Sequence, residues 1–374
     1  MNNPRILIIE NSVAITGALK SIIRSSEVLK ADYTFVFLLP AKSSATTYIR
    51  ELGFEVYELS MKEIRKNIPS LIVYIPMLVY NSIKLFKIIR RLNIDLITVN
   101  DFYNLIPTVY KISGGKVPYI CYVRFLPSKF PVTLIKLWCF LHRKYADRVI
   151  AVSEAVKKEL PFQSQVAVIS NELPHENIQF ALPTHSNTLL YPANYIRGKG
   201  HEFALESFSL VSKKHPQWKL KFIGGDMGLK KNREFKEHLL MLASHLQLDS
   251  QVEWHGFVDK ISEEYLSAAI VLNFSESESF SLTCLEAMFY GRPVIATRSG
   301  GPSEIIDHNQ SGILVDVKDV AAMAEALDEL MGDSEKREQM SRIAYDRVRQ
   351  KFSHQNTVEK LGEVYKKALK DSSP

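Results

Sequence analysis

Short apolar runs that recur along the whole chain constrain its fold more than any other feature. Each run is too brief for a helix and is rich in β-branched or aromatic residues, which favours a buried strand. Segments with helical periodicity separate many of the runs. The twelve runs are residues 6–9, 34–39, 96–99, 119–123, 148–152, 166–169, 188–191, 220–223, 252–255, 270–274, 294–297 and 313–315. Strands that alternate with helices predict an α/β protein with largely parallel sheets.

The twelve runs divide into two sets of six, because a single sheet of twelve strands would be unusual. The polar, proline-containing residues 171–187 are the best candidate for a linker between the sets. The sequence therefore predicts an N-terminal domain over 1–175 and a C-terminal domain over 186–355. Both would be doubly wound and face a cleft, with ligands outside the carboxyl ends of the strands. The last helix, at about 356–374, is expected to cross back to the first domain.

The composition is that of an ordinary globular protein. Hydrophobic residues make up 46% and charged residues 24% of the 374 positions, which excludes disordered and collagen-like chains. The three cysteines, Cys121, Cys139 and Cys284, are too few and too far apart for a disulfide framework or a zinc site. We expect them to be buried thiols in a reducing compartment. The start of the chain lacks the long apolar region of a signal peptide, so we expect a cytoplasmic protein.

Basic residues are concentrated in the first half of the chain. Residues 1–180 carry 23 Lys and Arg against 14 Asp and Glu, whereas the remainder carries 24 against 27. This asymmetry suggests that the first half meets an anionic partner, either a nucleic acid or a membrane. Nucleic acid is disfavoured, because the basic residues are scattered and the sequence has no recognition helix, zinc finger or RNA-binding aromatic motif.

One local pattern favours a membrane surface as the partner. Residues 67–83 are uncharged, but two prolines and an asparagine interrupt them, and they fall short of the roughly 20 apolar residues that span a bilayer. Lys84, Lys87, Arg90 and Arg91 follow, interleaved with apolar residues, which suits an anionic bilayer surface. A core helix with a basic outer face explains the pattern equally well.

The usual phosphate-binding loops are absent from the sequence. There is no G-x-x-x-x-G-K-[ST], and residues 224–228 only approach G-x-G-x-x-G without its spacing. A P-loop ATPase or a common dinucleotide dehydrogenase is therefore disfavoured. The densest signal is instead NFSESESFSLTCLEAMFYGRPVIATRSGGPSEII at 273–306, which predicts a strand, a turn and a short helix that begins near Ser281 or Leu282.

Two carboxylates accompany the start of this predicted helix. Glu278 lies on the turn just before it, and Glu286 lies about one turn within it. A helix N-terminus attracts phosphate through its unpaired N–H groups and its dipole. Each carboxylate alone could simply face solvent, with Glu278 favoured there by the helix dipole. The apolar residues around Glu286 favour a position near a core instead.

These motifs resemble the donor site of the retaining glycosyltransferases of family 4, which have the GT-B fold of two Rossmann-like domains facing a cleft. The resemblance covers most of the chain, with the motifs in the same order and at similar spacing. Its further motifs are GRPVIAT after the helix, RVIAVSEAVKKEL at 148–160, VISN at 168–171 and KGHEFALESF at 199–208.

The resemblance implies three catalytic residues. Glu278 would hold hydroxyl groups of the donor sugar, and Lys199 would neutralise the departing diphosphate, which is electrostatic stabilisation of developing charge. The family commonly has an Arg five residues before this Lys. Here that position is Asn194, and Arg197 would supply the second positive charge.

The resemblance also implies a set of donor-binding residues. Glu286 would accept hydrogen bonds from the ribose hydroxyls, since an ionised carboxylate only accepts. The family commonly has glycines on both sides of the Phe, where this chain has Ser279 and Ser281. The other implied donor contacts are the backbone of Phe280 and Ser281, the N–H groups of Leu282 and Thr283, Asn194, the base-proximal Gly256, Phe257 and Val258, and Gly17 in the first βα turn.

Acceptor contacts are implied in the first domain. They are Thr16 in the first βα turn, Asn100 and Asp101 after the strand at 96–99, and Arg124, which stands where many members of the family have a His. Asp101 would equally well cap the next helix.

The predicted activity is retaining transfer of a hexose from a UDP-sugar, such as UDP-glucose, to a saccharide or lipid-linked acceptor in polysaccharide biosynthesis. No D-x-D tripeptide occurs in the sequence, so we expect metal-independent catalysis and no cofactor. An anionic membrane surface is the further expected partner, reached from the cytoplasmic side. The alternatives are a nucleotide-sugar epimerase or hydrolase of similar fold and a non-catalytic nucleotide-sugar binding protein.

Overall fold

The chain forms two compact units. The computed structural model describes residues 3–61, 68–174, 179–180, 182, 186–258 and 260–371. The first unit runs to Glu172 and resumes at His354, and the second is Leu173–Ser353. The division between Glu172 and Leu173 falls within the predicted linker, of which 175–178, 181 and 183–185 lie outside the described residues.

Each unit is built on one parallel sheet. The first sheet has seven strands in the order β3-β2-β1-β4-β5-β6-β7, and the second has six in the order β10-β9-β8-β11-β12-β13. The strands are β1 (Arg5–Ile9), β2 (Thr34–Pro40), β3 (Glu55–Leu59), β4 (Leu96–Val99), β5 (Tyr119–Val123), β6 (Arg148–Ala151), β7 (Val166–Val168), β8 (Thr188–Pro192), β9 (Lys219–Ile223), β10 (Val252–His255), β11 (Ile270–Asn273), β12 (Val294–Thr297) and β13 (Gly312–Val315).

Helices connect these strands and cover the sheets. Two short 3₁₀ turns, Pro127–Lys129 and Gln163–Gln165, add to them. The helices are α1 (Gly17–Leu29), α2 (Ala45–Glu51), α3 (Ile68–Leu92), α4 (Ile106–Ile112), α5 (Val132–Tyr145), α6 (Glu154–Lys158), α7 (His201–Val211), α8 (Lys230–His245), α9 (Ile261–Ser267), α10 (Leu282–Phe289), α11 (Pro302–Ile305), α12 (Val320–Gly332), α13 (Ser334–Lys351) and α14 (His354–Lys370).

The predicted division into two sets of six strands is wrong for the first unit, because β3 adds a seventh. Glu55 and Glu58 interrupt this strand, so it contains no continuous apolar run. It pairs with β2 alone and forms the edge of the sheet, where Val56 and Leu59 are buried while both glutamates stay exposed. A search for apolar runs finds central strands, which are buried on both faces, and misses an edge strand of this kind.

Strand order fixes which helices share a layer in the first unit. The connections β1-α1-β2 and β2-α2-β3 step along the sheet in one direction, and those through α3, α4, α5 and α6 step in the other. Right-handed crossovers therefore place α1 and α2 on one face and α3 to α6 on the opposite face. The contacts agree, since α4 touches both α3 and α5, while α14 packs against α1 and β4.

In each sheet, successive strands are first added toward one edge and then toward the other, and this order reverses at one pair of neighbouring strands. The pair is β1 and β4 in the first unit and β8 and β11 in the second. Ligands of doubly wound sheets bind outside the carboxyl ends of the strands at this point. The loops that follow these four strands are therefore where functional side chains are expected. They begin at Glu10, Asn100, Ala193 and Phe274.

Candidate active site

An ion pair joins the loops after β8 and β11 in the second unit. Lys199 Nζ lies 2.7 Å from Glu278 Oε1, and the two side chains are 35% and 14% exposed. Lys199 precedes α7, and Glu278 precedes α10. Two residues that the resemblance assigned to the sugar and to the diphosphate are therefore in direct contact.

Two glycines and a tyrosine hold Lys199 in place. Gly200 has φ +79°, and a Cβ at this position would lie 2.1 Å from the Phe274 carbonyl oxygen, so only glycine fits. The Tyr191 hydroxyl donates to the Lys199 carbonyl at 2.5 Å and accepts from the Phe274 N–H at 2.9 Å. The Glu276 N–H donates to the Gly198 carbonyl at 2.8 Å. These contacts lock the Lys199 loop onto the loop that carries Glu278.

A third loop fixes the backbone of Glu278 itself. The Glu278 N–H donates to the Ser299 carbonyl at 2.9 Å, and the Gly301 N–H donates to the Glu278 carbonyl at 2.8 Å. A Cβ on Gly301 would lie 2.2 Å from Phe280 Cα. The Gly-Gly of the sequence motif therefore serves the close approach of the backbone at 299–301 to residues 278–280.

Helix α10 begins at Leu282, which confirms the predicted start. Ser281 is its N-cap, with φ +83°, and its hydroxyl accepts hydrogen bonds from the Cys284 N–H at 3.3 Å and from Asn273 Nδ2 at 2.8 Å. In the described chain the backbone N–H groups of Leu282 and Thr283 have no partner. They leave the positive end of the helix free for an anion.

Ser281 has a left-handed backbone, with φ +83°, which favours glycine. We expect Ser281→Ala to lower the free energy of unfolding by about 2 kcal/mol, because it loses the cap and leaves the Asn273 amide without its acceptor. Ser281→Gly relieves a left-handed backbone worth about 1–2 kcal/mol and should cost less than Ser281→Ala. Urea unfolding of the three proteins measures the order, and a glycine variant less stable than the alanine variant would contradict it.

Glu286 lies on the α10 face toward a pair of stacked tyrosines. Its Oε2 accepts a hydrogen bond from the Tyr265 hydroxyl at 3.4 Å, and the Tyr265 ring stacks on Tyr290 at 5.3 Å between centroids. Burial, reinforced by the charge of Glu286, raises the pKa of Tyr265 well above its ordinary value. Tyr265 therefore remains a hydrogen-bond donor that orients this carboxylate.

The predicted base-proximal segment meets the loop after β9, and Asn194 in the loop after β8 contacts that same loop. Asn194 Oδ1 accepts from the Gly225 N–H at 2.9 Å. The Phe257 side chain is 62% exposed, and its Cβ lies 3.8 Å from where a Cβ on Gly225 would stand. Gly256 is exposed beside it, and Val258 is half-buried. Asn194, Gly225 and Phe257 thus form one rim, in which Asn194 orients backbone and carries no charge.

Arg197 makes its contacts away from the Lys199–Glu278 pair. Its side chain is 70% exposed, lies 3.6 Å from Glu202 and stacks over the Phe235 ring at 4.8 Å. These are its only polar or ring contacts in the part of the chain that the structure describes. A second catalytic charge from Arg197 stays a prediction, and it requires the side chain to leave Glu202.

His201 is buried among aromatic rings directly behind the Lys199 loop. Its Nε2 lies 3.2 Å from the Ala193 carbonyl oxygen, and its ring packs against Tyr191, Tyr195 and Phe222. Burial lowers the pKa of His201 to about 4. The neutral ring is part of the support beneath the site.

This lowered pKa makes the stability of the second unit depend on pH. An unfolded His titrates near 6.5, so the unfolded state binds more protons than the folded state between pH 6.5 and pH 4. We expect the wild-type protein to lose about 2 kcal/mol more unfolding free energy than His201→Gln between pH 7 and pH 5. Urea unfolding at both pH values tests this, and an equal loss in the two proteins would exclude the buried neutral histidine.

In the first unit, Arg124 organises a polar cluster at the carboxyl ends of the strands. Its Nε donates to Asn100 Oδ1 at 2.6 Å, its Nη1 donates to Asn171 Oδ1 at 2.9 Å, and the guanidinium lies over the Tyr122 ring at 4.3 Å. Burial lowers the pKa of Arg124. Two of the predicted acceptor residues, Asn100 and Arg124, are therefore in contact.

Glu10 completes this cluster, although sequence reasoning gave it no role. It is fully buried directly after β1, hydrogen-bonds to Asn100 Nδ2, and accepts from the Ser12 hydroxyl at 2.7 Å. The Ser12 hydroxyl lies 3.1 Å from Thr16 Oγ1. A carboxylate that follows an apolar strand at a switch point was the available signal.

Thr16 and Gly17 occupy the start of α1. The Thr16 side chain accepts from the Leu19 N–H at 3.2 Å and is the N-cap, and Gly17 is the first helical residue. The structure thus gives Thr16 a structural contact, while its hydroxyl remains linked to the cluster through Ser12.

Asp101 does not cap the following helix, so that interpretation is wrong. The N-cap position of α4 is Leu105, which makes no side-chain cap bond. Asp101 Oδ2 accepts instead from the Asn11 N–H at 3.2 Å, in the loop after β1. Burial, with the nearby charge of Glu10, raises the pKa of Asp101 well above its ordinary value.

No metal-binding cluster joins these residues. Within the described ranges, no three His, Cys, Asp or Glu side chains form a group that could hold a metal ion. Among the described residues, no helix is both long enough and apolar enough to cross a membrane.

Comparison with known sequences matches both halves of the chain. A model described as glycosyl transferases group 1 matches 175–347, and a model of glycosyltransferase family 4 matches 44–171. The chain is 30% identical over 249 residues to D-inositol 3-phosphate glycosyltransferase of Corynebacterium kroppenstedtii, which covers 60% of this chain and 54% of that protein. It is 25% identical over 269 residues to an uncharacterized glycosyltransferase of Haemophilus influenzae, which covers 69% and 72%. The chain therefore spans about half the length of the Corynebacterium relative.

Comparison with solved structures concerns the fold. The crystal structure of Anabaena HepE in complex with UDP and glucose matches with a TM-score of 0.82 at 17% identity, over 98% of this chain and 100% of that one. Sucrose-phosphate synthase from Thermosynechococcus elongatus matches equally well, with 0.82 at 17% identity over 99% and 100%. With two sequence models that match the chain from 44 to 347 almost without interruption, the protein belongs to the group 1 glycosyltransferases and has the GT-B fold of two Rossmann-like α/β domains.

Proposed function

We propose that the protein is a retaining glycosyltransferase that moves a hexose from a UDP-sugar to a saccharide or lipid-linked acceptor in polysaccharide biosynthesis. The observation that carries the proposal is the Lys199–Glu278 ion pair in front of the free N–H groups of α10. It combines a cation, a helix N-terminus and a hydrogen-bond acceptor for sugar hydroxyls. A diphosphate and the sugar attached to it require these three groups.

In the proposed reaction the bond between the anomeric carbon and the diphosphate oxygen breaks, and a bond from the acceptor oxygen forms on the same face of the sugar. The acceptor proton passes to the departing diphosphate. Negative charge grows on that diphosphate, and Lys199 with the N–H groups of Leu282 and Thr283 stabilises it. Glu278 accepts hydrogen bonds from the sugar and holds the Lys199 ammonium group in place.

The proposed catalysis is independent of a metal ion and of any cofactor. Lys199 and the α10 terminus supply positive charge where a divalent cation would otherwise act. The absence of D-x-D from the sequence agrees with this assignment. Activity that requires added Mg²⁺ or Mn²⁺ and is lost with EDTA would contradict it.

UDP-glucose is the first donor to test. Anabaena HepE, which shares the fold at 17% identity, binds UDP and glucose. In this chain Glu286 would accept hydrogen bonds from the ribose hydroxyls. The rim of Asn194, Gly225 and Phe257 would lie near the base. Glu286 suits any nucleoside, so the base and the sugar are assigned by experiment.

The proposed acceptor binds the first unit and is anionic or linked to lipid phosphate. The cluster of Glu10, Asn100, Asp101 and Arg124 lies at the carboxyl ends of β1, β4 and β5, where an acceptor hydroxyl would be oriented. The excess of basic residues in 1–180 favours an acidic acceptor. We place the protein in the cytoplasm, at the inner face of the cytoplasmic membrane.

The test is turnover of purified protein with UDP-glucose, UDP-galactose, UDP-N-acetylglucosamine, GDP-mannose and ADP-glucose, each with and without saccharide acceptors. We expect nucleotide release that rises with acceptor and a product with the donor's anomeric configuration by NMR. Isomerised or freed sugar regardless of acceptor would indicate an epimerase or a hydrolase. Calorimetric binding without turnover for every donor would indicate a binding protein.

A further inference from the structure

The exposed side of α3 is apolar from Ile75 to Ile83 and basic from Lys87 to Arg91. Ile75, Val79 and Ile83 follow one another at intervals of four residues, and Ile75 and Ile83 are 62% and 55% exposed. Tyr80 is exposed beside them. The opposite side of the helix, which includes Leu85 and Ile89, is buried against the unit. The helix therefore packs by one face and leaves a second apolar stripe without a partner in the described chain.

Basic residues continue the stripe toward the end of α3. Lys87, Arg90 and Arg91 are exposed and make no ion pair within the described residues. Lys84 Nζ lies over the Tyr80 ring at 4.5 Å. The last turns of α3 therefore have a basic outer face.

Helix α5 repeats the arrangement on the same face of the sheet. Val132, Leu137 and Phe140 are exposed large apolar residues, and Phe140 is 62% exposed. Lys136, Arg143 and Lys144 are exposed among them. Helix α4 lies between α3 and α5 and ends at the exposed Ile112. These three helices hold eight of the ten exposed large apolar side chains in the described part of the first unit.

The same three helices contain eight Lys or Arg residues and no Asp or Glu. Single exposed apolar residues are normal on a protein surface, but a contiguous set marks an interaction site. Pairing with a second copy through this face would set like charges against like charges, because a two-fold interface repeats the same surface on both sides. Nucleic acid would leave the isoleucines, valines and phenylalanine without an apolar partner. A partner must offer both hydrocarbon and negative charge.

We propose that the outer surface of α3, α4 and α5 docks on an anionic phospholipid bilayer. Ile75, Val79, Ile83 and Phe140 enter the boundary between headgroups and acyl chains, and the lysines and arginines contact the headgroup phosphates. Helices α3 and α5 lie along the membrane plane, as amphipathic helices with a basic rim do. The surface would bring the first unit to a lipid-linked acceptor, but vesicle binding can be measured without any glycosyl transfer.

The test is cosedimentation at low salt with vesicles of phosphatidylcholine alone and of equal parts phosphatidylcholine and phosphatidylglycerol. We expect the wild-type protein to bind the anionic vesicles and to remain in solution with the neutral ones. The triple variant Lys87→Gln, Arg90→Gln, Arg91→Gln should bind about a hundredfold more weakly, since each basic residue near such a surface contributes about a factor of five. The apolar variant Ile75→Ser, Val79→Ser, Ile83→Ser should bind at least about tenfold more weakly.

The matched control is Lys360→Gln, Lys366→Gln, Lys370→Gln on α14. It makes the same charge change on exposed residues of the same unit, in the layer with α1 on the opposite face of the sheet. We expect it to bind within about threefold of the wild type, and all variants to keep the wild-type circular dichroism and melting temperature. Donor turnover, measured in parallel without vesicles, reports on the proposed activity separately.

Four outcomes would overturn the proposal. In the first, the wild-type protein does not bind anionic vesicles, and in the second, the apolar variant binds them as well as the wild type does. In the third, the α14 control loses as much vesicle affinity as the α3 variants. In the fourth, the wild-type protein binds oligonucleotides more tightly than vesicles, in a salt-sensitive way. A dimer in sedimentation that the Ile75→Ser, Val79→Ser, Ile83→Ser variant dissociates, without vesicle binding, would assign the surface to a second copy.

Discussion

Replacement of Lys199 by alanine is expected to lower kcat for sugar transfer by about 10²- to 10³-fold and to change KM for the donor much less. Charge grows on the diphosphate only as the bond to the sugar breaks, so the lost interaction is stronger in the transition state than in the bound donor. The magnitude is that of removing one preorganised donor from a developing anion. Steady-state kinetics with the active donor measures both constants.

Two further variants separate charge from packing at this position. Lys199→Arg keeps the charge but replaces a compact ammonium by a planar fork, and it should recover only part of the activity. Lys318→Ala is the control. Lys318 Nζ lies 2.9 Å from the carboxylate of Glu276, which is on the same loop as Glu278, and its loss should keep activity near the wild type. A Lys199→Ala enzyme with wild-type kcat would remove Lys199 from the mechanism, and an equally impaired Lys318→Ala would show that loop integrity explains the loss.

The sequence predicted the part of the site that depends on residue type along one segment. The start of α10, the approach of Glu278 to it and the burial of the three cysteines follow from local pattern and are present in the structure. Lys199 could be linked to Glu278 only through the family resemblance, because 79 positions separate them. Local periodicity carries no information on such a contact.

Residues that act through backbone contacts were the ones that sequence reasoning missed. Tyr191 looks like the end of an apolar strand, and nothing in the pattern indicates that its hydroxyl joins the Lys199 and Phe274 backbones. Ser281 looked like a departure from a glycine motif, yet it takes a left-handed backbone and caps the helix with its hydroxyl. The fold imposes both roles on residue types that usually do something simpler.

For two charged residues, the sequence pattern did not indicate which side chains they contact. Arg197 was predicted as the second positive charge because the family resemblance calls for an Arg near Lys199, whereas in the structure the Arg197 side chain contacts Glu202 and Phe235. Glu10 received no role from the sequence pattern. Its burial and its contact with Asn100 become visible only when β1 and β4 lie side by side.

Replacement of Glu286 by glutamine is expected to weaken binding of UDP about 10- to 100-fold. A carboxylate can accept hydrogen bonds from both ribose hydroxyls, whereas an amide offers one acceptor and turns a donor toward the other. Hydrogen bonds to a charged group contribute about 1.5–3 kcal/mol, which sets this range. Isothermal calorimetry with UDP, without any acceptor, measures the change apart from catalysis.

The ribose itself supplies the decisive control for Glu286. The wild-type protein should bind UDP more tightly than 2′,3′-dideoxy-UDP, and Glu286→Gln should bind both with similar affinity, because the group that distinguishes them is gone. Glu263→Gln makes the same chemical change on the exposed side of α9, where Glu263 lies 3.9 Å from Lys260, and should leave both affinities unchanged. If Glu286→Gln still preferred UDP over the dideoxy compound as strongly as the wild type does, the ribose would contact another residue. Tyr265→Phe keeps Glu286 but removes the hydroxyl that donates to it at 3.4 Å. Its affinity for UDP should lie between those of the wild type and Glu286→Gln.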